Sequence, residues 1–244
     1  LLNYKLAISR GIGETEITTE DGIEVFQEEK YYLLKKNVEI LSDEFNLTGQ
    51  LVKIVFEKDL YDIKELIATD EVNFVSEEYN IKGKGESLKF NIQNQKILVE
   101  GIKSELFLES TQMFSDGKIN VDNIRGTFLI DGSNSKLLSD NIYISGSIIE
   151  GEFEIIDGKR NIANLIVEDD KQLNIKTDGI VMFAKKAMYD KKNSIIELFE
   201  DVKIERGNEI ITGDYGILNT TNNSYKVSSN NSNKVKAIIT NSNE

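Results

Sequence analysis

The sequence predicts an all-β protein built from repeated antiparallel strand units. Apolar and polar residues alternate in short runs such as Val38-x-Ile40 and Leu88-x-Phe90. Alternation with a period of two turns one face of a strand toward an apolar interior and the other toward water. Turn residues such as Asp116-Gly117 separate these runs at intervals of roughly 8 to 12 residues, as is typical of sandwiches, barrels and solenoids. The third observation is a repeat.

The repeat begins with NVEILSDEFNLTG, residues 37–49, and recurs without a gap at offsets of 34 and 164 residues. The first offset aligns Val38 with Val72, Ser42 with Ser76 and Phe45 with Tyr79. The second aligns Val38 with Val202. Self-similarity at a fixed offset indicates a stacking unit that buries its apolar face only against its neighbours. We expect the glycines that end the second strand of each unit to form corners with positive φ. These glycines are Gly49, Gly83 and Gly213.

The 244 residues, of which 39% are hydrophobic, predict one elongated domain over 1–218, followed by the last strands and a polar Asn/Ser-rich tail over 219–244. Residues 103–170 keep the texture of strands but lose the period, so either the register shifts there or a second domain begins. Residues 28–36 and 184–192 are also compatible with short helices, although neither stretch has a convincing cap.

The amino-acid composition excludes several kinds of catalytic and metal-binding site. The chain has no Cys and no His, which excludes thiolate and imidazole metal sites, a Cys nucleophile and a His-based triad. The consecutive carboxylates Asp169-Asp170 and Glu77-Glu78 would point to opposite faces of a strand. The stretches DGSNS and DGKINVDN suggest calcium loops but lack the spacing of an EF-hand or a Gly-rich roll. We therefore predict no enzyme, no cofactor and no metal.

Charge and hydropathy limit the classes of partner that the chain can bind. With 42 acidic and 29 basic residues the net charge is −13, which argues against binding to a nucleic-acid backbone. No run of about 18 apolar residues is present. The sequence opens on Leu1-Leu2 without Met, from which we expect that a signal peptide or an anchor preceded it.

Residues 180–227 resemble the OstA-like proteins of lipopolysaccharide transport, the LptA and LptC group. The pattern is an A-x-x-A-x-Y-D strand, then N/D-V-x-I, then a G-x-x-I-T-G-D corner. Residues 33–99 resemble it more loosely. The matching residues are Ala184, Ala187, Tyr189, Asp190, Ile195, Leu198, Val202, Ile204, Gly207, Ile211, Thr212, Gly213 and Asp214.

The resemblance implies a twisted, partly open β-jellyroll whose two sheets enclose a lining for acyl chains. It implies a periplasmic protein that binds lipopolysaccharide or a related glycolipid and transfers it toward the outer membrane without catalysis. Other Lpt-type jellyrolls would dock on its edge strands, and head-to-tail self-association would use the same edges. A soluble bridge and a subunit tethered to the inner membrane by an N-terminal segment both remain open.

Alternation within the repeats selects the residues that we expect to line the groove, each of which also fits an ordinary core. The alternative is a structural or adhesive β-solenoid at a cell surface with no lipid ligand. The predicted lining residues are Val38, Ile40, Leu47, Ile54, Phe56, Val72, Phe74, Ile81, Leu88, Phe90, Val202, Ile204 and Ile211.

Overall fold

The structure is a computed structural model and describes residues 11–58, 62–139, 142–157, 159–230 and 233–240. Within these ranges every regular element is a β-strand, and every strand pair is antiparallel. The all-β prediction is therefore confirmed. The strands are β1 (Glu16–Thr18), β2 (Ile23–Phe26), β3 (Tyr31–Leu41), β4 (Asn46–Phe56), β5 (Ile63–Ser76), β6 (Ile81–Asn91), β7 (Lys96–Glu100), β8 (Ser104–Leu108), β9 (Thr111–Ser115), β10 (Lys118–Asp122), β11 (Thr127–Ser139), β12 (Ile142–Ile156), β13 (Lys159–Thr177), β14 (Ile180–Asp190), β15 (Ile195–Arg206), β16 (Glu209–Asn219), β17 (Ser224–Ser228) and β18 (Lys236–Ile239).

Each long strand crosses between two layers. In β3, residues 31–35 pair with 51–55 of β4, whereas residues 38–41 pair with 46–49 after a shift of register. The same division recurs in β4, β5, β6 and β11 to β16. Layer 1 contains β2, β7, β10, β17 and the half of each long strand that pairs with them. Layer 2 contains β1, β8, β9, β18 and the other halves.

Short strands replace long ones in pairs. Strands β7 and β8 both pair with β6, one in each layer, and β10 and β9 both pair with β11 in the same way. Strands β2 and β1 flank β3, and β17 and β18 flank β16. Strand pairing therefore continues through residues 103–170, where the sequence period is lost. The division into one domain of 1–218 and a tail stays a prediction.

The bend between the layers lies at polar residue pairs and not at the glycines that we expected. Three of the long strands bend at two consecutive residues with positive φ. These pairs are Lys36-Asn37, Asp70-Glu71 and Glu200-Asp201. Gly49, Gly83 and Gly213 do not have positive φ, so the prediction of glycine corners is wrong.

The repeat glycines serve instead where the layers come close. A Cβ at Gly83 would lie 2.9 Å from Leu88 Cδ1, and one at Gly213 would lie 2.6 Å from Val227 Cγ1. The nearest atom to a Cβ at Gly49 would be Thr69 O, at 3.4 Å. A side chain at Gly213 is excluded because its Cβ would also lie 2.8 Å from the backbone oxygen of Ser228, whereas one at Gly83 would require only the end of the Leu88 side chain to shift.

The turns of the two layers form two facing rows opposite the bend. We call the gap between these rows the mouth. The layer 1 turns include 27–30, 92–95, 123–126 and 191–194, and the layer 2 turns include 42–45, 77–80 and 207–208. The fold is thus a two-layer β-jellyroll whose layers are joined by covalent chain along one side only.

Two alternatives from the sequence are wrong. The stretch 28–36 contains a turn followed by β3, and 184–192 contains β14 followed by a turn, so neither is helical. The antiparallel pairing also differs from the parallel coils of a stacked β-solenoid, so the architecture of the adhesive alternative does not apply to this chain.

Candidate functional site

The predicted lining residues all lie on the inner faces of the two layers. Twelve of the thirteen are buried, with relative exposure of 2% or less. Ile211 is half-buried, although it lies opposite the buried Ile204 and therefore faces the same side. Whether these residues contact lipid stays a prediction. In the structure eleven of them, all except Phe56 and Ile211, form part of one hydrophobic core.

The irregular middle of the chain extends the same inner surface. The sequence analysis did not select these residues because the 34-residue offset fails between β7 and β12, where short strands replace long ones. Alternation within each short strand was the signal that could have identified them. The added inner residues include Ile97, Val99, Leu106, Leu108, Met113, Ile119, Val121, Phe128, Ile130, Leu137, Ile144 and Ile149.

An aromatic chain connects this interior to the mouth. The Phe74 ring lies 5.3 Å from that of Phe90 and 5.9 Å from that of Phe45, and the Tyr79 ring meets Phe90 edge-on at 5.5 Å. Phe45 and Tyr79 belong to turns of layer 2, whereas Phe90 lies in layer 1. Aromatic packing therefore closes the mouth at this point without backbone pairing between the layers.

The repeat explains how these aromatic residues are placed. The Phe45 N–H donates to Ser42 Oγ at 3.0 Å, and the Tyr79 N–H donates to Ser76 Oγ at 3.3 Å. Each serine thus caps a turn whose third following residue is aromatic. The sequence offset had already paired Ser42 with Ser76 and Phe45 with Tyr79, and this was the available signal for the mouth residues.

Two clefts open along the mouth. The first, of about 360 Å³, lies between Ser42–Phe45 and Tyr79 of layer 2 and Asp62, Ile63 and Ile92 of layer 1, and residues 13–15 complete it. The second, of about 170 Å³, has lining residues from both layers: Ser139, Ile142, Asn161, Ile162, Thr177, Tyr189, Lys191, Ile196 and Thr220.

Tyrosines at both clefts stay protonated well above neutral pH. Burial raises the pKa of Tyr79, and the Glu78 and Glu44 carboxylates add to the effect. Burial also raises the pKa of Tyr189, with Asp190 and Glu154 as the neighbouring charges. Both rings therefore present a neutral hydroxyl at the rim of an apolar interior.

One ion pair crosses the mouth between the clefts. Glu109, in the turn between β8 and β9 of layer 2, accepts from the Arg160 backbone N–H at 2.9 Å and from Arg160 Nη1 at 2.6 Å. Arg160 is the second residue of β13, in layer 1, and its Nη2 donates to Asn123 Oδ1 at 2.5 Å. Among the salt bridges of the described residues, only the one between Glu109 and Arg160 joins the two rows of turns. We call Glu109 and Arg160 the clasp.

The inner face is uncovered at both ends of the jellyroll. At the first end, Ile23 and Val25 lie opposite Leu34 and Tyr32, yet they are 48% and 47% exposed. At the second end, the inward-facing Ile239 of β18 is 71% exposed. Apolar surface that would be core in the middle of the fold is therefore open to solvent at its two ends.

The two ends also differ in charge. Residues 14–29 contain seven carboxylates and no Lys or Arg, and residues 219–240 contain three lysines and no carboxylate. The acidic residues are Glu14, Glu16, Glu20, Asp21, Glu24, Glu28 and Glu29, and the lysines are Lys226, Lys234 and Lys236.

The carboxylates considered for catalysis or calcium binding have structural partners or lie in solvent. Asp169 accepts from the backbone N–H groups of Lys171 and Gln172, at 2.8 and 2.9 Å, within the bend of β13. Burial opposes ionisation of Asp169, but these bonds lower its pKa overall. Glu77 and Glu78 lie in an exposed turn.

The two stretches that suggested calcium loops lie against each other. Asp116, from DGKINVDN, accepts from the Ser133 hydroxyl and from the Asn134 backbone N–H, both in the DGSNS bend of β11. The Ser133 bond is the main reason why the pKa of Asp116 is lowered to about 2. In the described part of the chain no cluster of three or more carboxylates could hold a metal ion, and no helix there has the length and apolarity to span a bilayer.

Comparisons with known proteins found similarity among solved structures but none at the level of sequence. No protein-family model matches the chain, and no curated protein matches its sequence. Among solved structures, the chain is similar to LptH from Pseudomonas aeruginosa, described as the LptA-homologous periplasmic component of the lipopolysaccharide transport device. The likeness covers 49% of this chain and 82% of LptH, at 12% identity and a TM-score of 0.40.

Proposed function

We propose that this protein binds the acyl chains of a lipid between its two layers and transfers the lipid along them without catalysis. The proposed cargo is lipopolysaccharide or a related glycolipid that crosses the periplasm toward the outer membrane, and the resemblance of residues 180–227 to the OstA-like pattern suggests this class. The observation that carries the proposal is the continuous apolar inner surface from β3 to β16, which backbone joins along the bend and only side chains close at the mouth.

Burial energies favour such a site for acyl chains. Each CH₂ group removed from water contributes about 0.8 kcal/mol, so an unshielded lipid with several acyl chains crosses water at a large cost. An inner surface of similar apolarity along its whole length lets the chains shift with little change in free energy. Long-range transfer needs a flat energy profile of this kind.

Entry requires the layers to separate at the mouth, since the interior is packed. No backbone–backbone hydrogen bond between described residues crosses from one row of turns to the other, and the one backbone group bonded across the mouth is the Arg160 N–H of the clasp. The contacts to be exchanged are therefore apolar and aromatic ones, such as Tyr79 on Phe90, together with the clasp. An acyl chain replaces the apolar contacts with equivalent ones, and only the clasp has no such replacement.

Docking at the ends would extend the path between molecules. Among the described residues, no strand pairs with the outer edges of β1, β2, β17 and β18, so their backbone groups suit strand addition, and the inner faces next to them are exposed. The acidic first end and the basic second end favour head-to-tail contact with a second copy or with a jellyroll of the same polarity. Contacts of this type generate open-ended assemblies.

Native mass spectrometry of the protein purified from a lipopolysaccharide-producing host tests the proposal. We expect a bound species with the mass of a glycolipid, released when organic solvent extracts the protein. As a matched pair, Phe74→Asp places a charge on the inner face and should abolish capture, whereas Asn73→Asp places one on the exposed outer face of the same strand and should not. Circular dichroism checks that both variants fold. The absence of any lipid from folded wild-type protein would contradict the proposal.

A further inference from the structure

The outer face of layer 2 carries a basic and aromatic surface that the proposed lipid path does not use. Between β6 and β15 this surface contains five lysines and two glutamates. The lysines are Lys82, Lys84, Lys136, Lys176 and Lys203. Each lies between inward-facing residues of its strand and therefore points away from the core.

Layer 1 differs over the same strands. Its outer face there has five lysines, and four of them pair with carboxylates on neighbouring strands: Lys89, Lys96, Lys118 and Lys186. The fifth, Lys159 at the start of β13, makes no salt bridge with a described residue. In layer 2, Lys82, Lys84, Lys136 and Lys176 make no salt bridge with any described residue. A chain of net charge −13 thus has a face on which four of the five lysines make no salt bridge with a described residue.

Aromatic residues alternate with these lysines. Phe107, which lies opposite Lys82, and Phe114, which lies opposite Lys136, meet edge-on at 5.7 Å. Lys176 Nζ lies 5.4 Å from the centre of the Tyr143 ring, and Lys203 Nζ lies 4.1 Å from that of Phe183. Each of the four rings is only partly buried. With strands about 4.8 Å apart, the eight strands that carry this face extend over about 34 Å.

We propose that this face binds the surface of a lipid bilayer with anionic headgroups. The unpaired ammonium groups complement the negative surface potential of such a bilayer. The partly exposed phenylalanine rings would insert apolar surface at the boundary between headgroups and acyl chains, and Tyr143 would place its hydroxyl among the headgroups. Layer 1, with its excess of carboxylates, would face away from the bilayer. The molecule would then lie lengthwise on the membrane with the bend and the mouth at its sides. The inference is independent of what the inner face binds.

Sedimentation of the full chain with vesicles tests this inference. We expect binding to vesicles of phosphatidylcholine mixed with phosphatidylglycerol, and none to phosphatidylcholine alone. Binding should weaken as salt shortens the Debye length from about 30 Å at 0.01 M to about 8 Å at 0.15 M. The double variant Lys136→Gln/Lys176→Gln should bind about 25-fold more weakly, because each lysine near such a surface contributes about fivefold.

A charge-matched control separates the face from the net charge. Lys89→Gln/Lys96→Gln removes two lysines from layer 1 and should leave vesicle binding within about twofold of wild type, since both lysines are already paired. Equal losses in the two double variants, no binding to anionic vesicles, or binding to single-stranded oligonucleotides in preference to vesicles would overturn the inference. Glycolipid capture by Lys136→Gln/Lys176→Gln should stay at the wild-type level, which distinguishes this surface from the inner face.

Discussion

Ile211 lies directly opposite Ile204 on the inner face of layer 2, yet Ile204 is 1% exposed and Ile211 is only half-buried. The difference arises because Ile211 belongs to β16, whose outer neighbours β17 and β18 are short and end the sheet. The apolar lining predicted from the repeat therefore extends to β16, and its last residue is partly exposed because only short strands follow. We expect another molecule to dock at this end of the jellyroll.

The exposed end provides a prediction with an internal control on one strand. Ile239→Asp places a charge on the inward side of β18, where the native side chain is 71% exposed, and Ile238→Asp places one on the outward side, where it is 46% exposed. Sedimentation velocity should show weaker self-association for Ile239→Asp and little change for Ile238→Asp. Equal effects at both positions would argue against docking through the inner face.

The correction of the corner glycines predicts opposite outcomes at two sites. Gly49→Ala should change the free energy of unfolding by less than about 1 kcal/mol, since a Cβ would have ordinary contacts and φ is not positive. Gly151→Ala should destabilise by about 1 to 3 kcal/mol, because its Cβ would lie 2.5 Å from Phe128 Cζ and 2.8 Å from Asn164 O. Denaturant titrations measure both values. A large loss at Gly49 would restore it as a conformational corner.

The clasp predicts control over opening of the mouth. Glu109→Gln keeps the shape of the side chain but weakens the bridge to Arg160, so an apolar fluorescent dye should enter faster and bind more tightly. Glu154→Gln breaks the ion pair between Glu154 and Lys191 within layer 1 and serves as the control. Stopped-flow dye binding compares the two. Identical rates for wild type and Glu109→Gln would show that the clasp does not limit access.

Asp116 predicts a pH-dependent contribution to stability. Its pKa is lowered from 3.8 to about 2, mainly by the Ser133 hydroxyl and then by the Asn134 backbone N–H. A pKa that is lower in the folded state contributes stability above the unfolded pKa, and this contribution is lost as the pH falls from 3.8 toward 2. The difference in unfolding free energy between wild type and Asp116→Asn should therefore shrink over that interval. Glu150→Gln, on an exposed outer-face position, provides the comparison, and a difference independent of pH would contradict the assignment.

Sequence patterns predicted the class of the fold and the orientation of the lining because both depend on local alternation. The offset of 34 residues corresponds to two long strands with their turns, which is why Val38 and Val72 each follow a bend. Val202, at the offset of 164 residues, also follows one. The bends themselves were missed. Each of the three pairs with positive φ contains one Asn or Asp, the non-glycine residues that adopt this conformation most readily, but the apolar alternation from which the strands were predicted does not locate the bend.

The residues that meet at the mouth and on the outer faces are brought together by long-range strand pairing, so local sequence patterns could not predict them. Glu109 and Arg160 are 51 residues apart, so nothing in their local sequence connects them. The contrast between paired lysines on layer 1 and unpaired lysines on layer 2 likewise requires the register of every strand. A net charge of −13 conceals this segregation, since it sums over both faces.

Photocrosslinking at two adjacent residues tests the central claim most directly. Phe90 is 0% exposed on the inner face of β6, and Lys89 lies beside it on the outer face of layer 1. A photoreactive residue at each position, in protein expressed in a lipopolysaccharide-producing host, should yield a glycolipid adduct at position 90 and none at position 89. Folded protein that gives no adduct at position 90, or equal adducts at both positions, would contradict lipid binding between the layers.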